Sequence, residues 1–174
     1  MCMDIRDALA KNHSREQAEA IADFVGGSPE RFAELMRLFL SGEYRVVQRS
    51  AWAVAKIVER EPKLVAPYLS RLVVLLEDET AHPAAHRNIL RLLQTAPIPA
   101  KYEGRLYDIC LSKIDDPAAA TAVRAFAIEV AARIANGEPD LLAEIRLVTM
   151  RHLKDAKAAI RSKARNVLKI VEEN

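Results

Sequence analysis

The stretch Val123-Arg124-Ala125-Phe126-Ala127-Ile128-Glu129-Val130-Ala131 decides the fold, because its spacing returns elsewhere in the chain. Val123, Ala127, Val130 and Ile134 fall three and four residues apart, the period of one helix face. Val47, Ala51, Val54 and Val58 repeat that spacing, as do Ile160, Ala164, Val167 and Val171. His86, Leu90, Leu93 and Pro97 form a copy degraded at both ends. The first members of the four sets lie 39, 37 and 37 residues apart. A second amphipathic stretch precedes each set, at residues 31–40, 63–76, 101–114 and 140–153. Two helices every 37 to 39 residues is the signature of a stacked-repeat architecture. A lone helix pair cannot bury its apolar face, whereas stacked pairs share one continuous core.

Local signals agree. Ser14 with Gln17 reads as a capping box, and Gly26-Gly27 as a helix stop. Ser28-Pro29 starts the next helix with proline at its first position, and Gly42 ends it. Pro62, Pro83, Pro99, Pro117 and Pro139 each suit the first turn of a helix, where a missing N–H costs nothing. No stretch alternates at period two, and no linker or low-complexity tract divides the chain.

The second helices resemble those of HEAT repeats, which typically read Val-Arg, then Ala three residues on, then an apolar pair. Val123-Arg124 with Ala127, Val130 and Ala131 has this form, as does Ile160-Arg161 with Ala164, Val167 and Leu168. Gln48 stands for the arginine in the first repeat, and His86 for the apolar residue before Arg87 in the second. The resemblance covers about residues 30 to 172. It implies an all-α, right-handed α-α superhelix (a HEAT/ARM-like solenoid) of about four helix pairs. Residues 29–172 would be the repeats of a single domain spanning 1–174, and residues 1–28 an N-terminal helical cap. It also implies that Asp116 and Asp155, in the turns inside repeats, pair with Arg124 and Arg161. The whole chain is similar to small stand-alone bacterial HEAT-like proteins, some of which carry the name adenylosuccinate lyase. That lyase needs a flexible, Ser-containing, Gly-rich signature loop. Nothing in this sequence matches it, so no lyase activity is implied.

Composition sets outer bounds. Apolar residues make up 51% and charged residues 29%, which fits a globular chain and argues against disorder. Only five glycines are present, and no Walker loop or dinucleotide fingerprint is among the motifs. Two cysteines, Cys2 and Cys110, suggest neither a disulfide framework nor a metal pair. The N-terminus has no apolar leader, and no apolar run approaches a membrane span, so a cytoplasmic protein is expected.

The net charge of +2 hides an asymmetry. Residues 44–60, 84–95, 117–135 and 156–171 carry 13 basic and two acidic residues, against 13 and 22 in the rest of the chain. Second helices line the concave side of HEAT-type solenoids, so the resemblance implies a basic groove. Arg45, Arg49, Lys56, Arg91, Arg165 and Lys169 share one angular position on these helices and are the candidate partner-binding cations. The alternative is that Arg87, Arg124 and Arg161 join structural ladders while the others are ordinary solvated side chains. Trp52, the only tryptophan, lies about 120° from the centre of its helix's apolar stripe, beside Arg45, Arg49 and Lys56. It is either a recognition platform among cations or a packing residue between repeats. Its counterparts in later repeats are Arg91, Ile128 and Arg165.

His82 and His86 are four apart but have no third ligand, and His82 reads as a cap before Pro83. His13 and His152 are isolated, and the acids Glu77-Asp78-Glu79 and Asp115-Asp116 read as turn and cap residues. No catalytic residue, cofactor or metal is expected. The leading reading is a non-enzymatic scaffold whose basic groove holds an acidic protein partner. The alternative is a nucleic-acid-binding protein related to the HEAT-like DNA glycosylases, although the chain has a single tryptophan and lacks their nearby Val-Asp pairing. A small-molecule lyase or isomerase finds no supporting residue set, and no membrane partner is expected.

Overall fold

The computed structural model describes residues 3–11, 14–41, 43–152, 158, 160–162 and 164–165. Every element among them is helical, with no strand. The chain divides into two compact units, residues 1–97 and 98–174.

The first unit contains α1 (Ile5–Lys11), α2 (Arg15–Val25), α3 (Pro29–Phe39), α4 (Tyr44–Arg60), a 3-10 segment (Pro62–Tyr68), α5 (Leu69–Glu77) and α6 (Pro83–Leu93). Its boundaries follow from capping. Ser14 Oγ accepts the Gln17 N–H at 3.1 Å, and Ser28 Oγ accepts the Arg31 N–H at 3.3 Å. Gly26, at φ 52°, turns the chain out of α2. His82 is the N-cap of α6, its Nδ1 accepting the Ala84 N–H at 3.1 Å, with Pro83 at the first helical position. The continuous helix expected over 63–76 is broken instead. Pro67 lacks the N–H an α-helix interior needs, so residues 62–68 adopt 3-10 geometry and α5 begins at Leu69.

Helix α4 is the centre of this unit, packing against α2, α3 and α6. It buries Val47, Ser50, Ala53, Val54, Ile57 and Val58. Ala51, expected in the core, is half-buried. Ser50 occupies that side instead, and its hydroxyl donates to the Val46 carbonyl at 2.7 Å, inside its own helix. The residues expected to form the N-terminal cap are the helices α1 and α2, which touch each other. Helix α2 packs on α4 as α4 packs on α6, and α1 touches α3.

The second unit contains α7 (Ala100–Asp115), α8 (Thr121–Ile134) and α9 (Pro139–Arg151), all three in mutual contact. Pro139 opens α9 as expected, whereas Pro99 precedes α7 as its N-cap. Pro117 does not open α8; residues 117–119 form a turn in which Asp116 Oδ1 accepts the Ala118 N–H at 2.8 Å. Val123, Ala127 and Val130 are buried on α8, in the predicted register. Beyond α9, residues 158, 160–162 and 164–165 are helical, with Ile160 and Ala164 buried.

Two contact patterns repeat. In the first, a residue near the start of a second helix closes the end of the first helix. Buried Arg124 donates from Nε at 3.1 Å and Nη2 at 2.9 Å to the Ile114 carbonyl, one of the acceptors α7 leaves without a partner. Asp116 is not its partner, contrary to the expected Asp–Arg pairing. Asp155 lies outside the described residues, and Arg161 is exposed. His86 plays the corresponding role in the first unit, with Nε2 at 3.0 Å from the Leu75 carbonyl and 3.1 Å from that of Asp78. The apparent degradation of the repeat at His86 is a change of capping group.

In the second pattern, side chains 37 residues apart touch. In the first unit these are Arg6 with Glu43 (2.9 Å), Lys56 with Glu19, and Arg60 with Asp23 (2.6 Å). In the second they are Tyr107 with Glu144 (3.0 Å) and His152 with Asp115 (2.9 Å). The sequence period is thus also a spatial one: one repeat length along the chain reaches the neighbouring helix pair.

Candidate binding surfaces

Five of the seven predicted binding residues lie in the first unit. Arg45, Arg49, Trp52 and Lys56 share α4, and Arg91 lies on α6, which packs against α4. Arg45 and Arg91 are exposed; Arg49, Trp52 and Lys56 are half-buried. Exposure divides them because α1 and α2 lie against α4 on the side of Arg49 and Lys56.

Two of the cations have work inside the chain that sequence reasoning did not foresee. Arg49 Nη1 donates to the carbonyls of Leu9 and Ala10, each at 2.8 Å, and so closes the C-terminal turn of α1. Lys56 donates to Glu19 on α2 from a side chain only 17% exposed. Arg60 joins the same network, reaching Glu19 and Asp23 at 2.6 Å each. The Lys56 hydrogen bond is the main reason that the Glu19 carboxyl sits below its ordinary range. Glu19, Asp23 and the α1 carbonyls are the acidic complement of this part of α4. The signal was available in sequence, since Glu19 and Asp23 stand 37 residues before Lys56 and Arg60.

In the second unit, Arg165 is exposed, and its Nε lies 3.4 Å from the Arg161 carbonyl one turn back. Lys169 lies outside the described residues. Ile128, the counterpart of Trp52 on α8, is fully buried. The angular position that is half-buried at Trp52 is thus exposed at Arg91, one repeat later, and enclosed at Ile128, two repeats later.

Sequence reasoning missed two clefts, neither lined by the seven predicted residues. The first, about 260 Å³, lies in the first unit among the ends of α3 and α5 and the starts of α4 and α6. Its walls include Phe39, Leu40, Tyr44, Asp78, Thr80 and His82. Tyr44 is 46% exposed, and its ring centroid lies 4.9 Å from that of His82 at a tilt of 51°. The second cleft, about 750 Å³, lies in the second unit between α7, α9 and the end of α8. Glu103, Asp108, Glu138 and Glu144 line it with Arg133 and Tyr107. Buried Tyr107 donates to the Leu141 carbonyl at 2.7 Å, with Glu144 Oε2 at 3.0 Å. Burial first, and then Glu144, push its phenol well above the ordinary range, so it stays a neutral donor.

Among the described residues no group of three or more His, Cys, Asp or Glu has metal-site geometry, and no helix is long and apolar enough to cross a membrane. Cys110 is buried in α7, and burial pushes its thiol up to about 12, far from the reactive thiolate range.

A family model described as a HEAT repeat domain matches residues 5–171. No curated protein and no solved structure matches the chain. The matched range begins at the first residue of α1, in keeping with α1 and α2 stacking as a helix pair.

Proposed function

The chain belongs to the HEAT repeat family, and from that premise we propose that it is a non-enzymatic, cytoplasmic binding scaffold for an acidic protein partner. Repeats of this family generally serve protein interaction. The observation that carries the finer reading is the pair of exposed arginines, Arg45 on α4 and Arg91 on α6, on two helices that pack together. Half-buried Trp52 lies on α4 beside the angular position of Arg45 and supplies flat apolar area next to the charge. Arg49 and Lys56 hold α1 and α2 against α4. Arg165 and Lys169 extend the reading to the second unit as further candidate contacts.

Fluorescence anisotropy tests this with a labelled polyglutamate peptide and a labelled DNA duplex, each titrated with the full chain at two salt concentrations. The acidic peptide should bind, and the double variant R45E/R91E should weaken it at least fivefold. Tighter binding to duplex, with the steep salt dependence of counterion release, would favour the nucleic-acid reading instead. Peptide binding unaffected by R45E/R91E would overturn the surface.

A further inference from the structure

The cleft of about 260 Å³ in the first unit has a chemistry opposite to that of the arginine surface. It is slightly below the roughly 300–1,000 Å³ of small-molecule sites, the size for one side chain rather than a cofactor. Its floor is apolar, contributed by Phe39, Leu40, Val47 and Leu75. Its rim carries two aromatic rings, Tyr44 and His82, tilted against each other, and one carboxylate, Asp78.

Two helix C-termini and a carboxylate at the cleft favour a cation, against the helix starts of α4 and α6. Phe39 and Leu40 belong to the C-terminal end of α3, and Leu75 and Asp78 to that of α5; helix C-termini carry partial negative charge. Asp78 Oδ1 accepts from both the N–H (2.9 Å) and the hydroxyl (2.6 Å) of Thr80, which hold the carboxyl below its ordinary range and so ionised. The start of α6 also reaches the cleft, but it offers little to an anion. Pro83 has no N–H, the Ala84 N–H is taken by His82 Nδ1, and the Ala85 N–H by the His82 carbonyl at 2.7 Å. Accepting the Ala84 N–H occupies the Nδ1 lone pair of His82. Tyr44, 46% exposed, supplies an aromatic ring at the rim that a cation can approach. Arg45, one residue along α4, projects from a different side of the helix.

The geometry points to a lysine side chain of a partner protein as the occupant. Its aliphatic stem would lie on the apolar floor, and its ammonium would sit between the Tyr44 ring and the Asp78 carboxylate. A long side chain with an apolar stem and a charged head is the chemistry this combination matches. The inference does not rest on the acidic-partner reading, and the two surfaces can fail separately.

The test is an NMR titration of the isotopically labelled full chain with N-acetyl-lysine N-methylamide. Parallel titrations use the norleucine analogue, which keeps the stem without the charge, and N-acetyl-glutamate. The lysine compound should give saturable shifts centred on Tyr44, Thr80 and His82, and the norleucine analogue should bind at least fivefold more weakly. Asp78→Asn keeps an acceptor for Thr80 and should weaken lysine binding at least fivefold. Tyr44→Leu, at an exposed rim position, should do the same with the rest of the spectrum unchanged. Equal binding of norleucine would make the cleft an apolar anchor site and overturn the proposal. So would tighter binding of glutamate, an unaffected Asp78→Asn, or the absence of saturable shifts.

Discussion

Substituting leucine for alanine at two repeat-equivalent positions should have unequal consequences. Ala51 and Ala127 occupy the same place in the sequence repeat, yet Ala127 is fully buried and Ala51 is half-buried. Ala127 lies on α8, which packs against both α7 and α9, and its buried neighbours include Val123, Val130 and Ala131. Packed interiors have few voids, so three added carbons must displace neighbours or adopt poor rotamers. Ala127→Leu should therefore cost about 1–3 kcal/mol. For a chain of this size each kcal/mol moves Tm by about 2–4 °C, giving a drop of roughly 2–12 °C. Ala51→Leu has solvent on one side and should stay within about 0.5 kcal/mol, as surface changes do. Thermal and urea unfolding, followed by circular dichroism, measure both. Similar losses at the two sites, or no loss at Ala127, would refute the packing register derived for the second helices.

Other outcomes follow from the contacts described above. Arg124→Met keeps the aliphatic stem but removes both donors to the Ile114 carbonyl; it should cost about 1.5–3 kcal/mol in urea unfolding, the range for hydrogen bonds from charged groups. Lys56→Met should raise hydrogen exchange in α2 (Arg15–Val25) while leaving α7 unchanged, because Lys56 ties α2 to α4. The Glu19 carboxyl is lowered from its ordinary 4.5, so its contribution is present above pH 4.5 and is lost as pH falls through the folded value. Glu19→Gln should flatten the acid limb of an unfolding curve relative to wild type. In a Cys2→Ser background, Cys110 should resist iodoacetamide at neutral pH until denaturant exposes it, since burial pushes the thiol up to about 12.

The helix pairs were legible because apolar spacing and caps are local signals, and local signals suffice for helices. Ser14, Ser28, His82 and Pro83 each took the capping place that the sequence assigned them. The break at Pro67 was equally local and was missed because the apolar pattern runs through it. The candidate surface was harder to read. Angular position on α4 grouped Arg49 with Lys56, but it could not show that Glu19 and two α1 carbonyls lie against them. That depends on which helix covers which face, a fact of stacking that only the 37-residue pairing of opposite charges hints at. The lysine-sized cleft was invisible for the same reason. Its rim joins Tyr44, at the start of α4, to Asp78 and His82, which lie more than thirty positions further along the chain.

Chains of look-alike repeats face a hazard that other folds do not: a helix pair can dock on the wrong neighbour and still bury an apolar face. The contacts one repeat length apart bear directly on it. Docking that skipped a pair would set Arg6 opposite Thr80 instead of Glu43, Glu19 opposite Leu93 instead of Lys56, and Asp23 opposite Pro97 instead of Arg60. The apolar stripes would tolerate the slip, but these charges would face groups unable to answer them. The side-chain links of the first unit thus match the observed neighbour and not the pair beyond it.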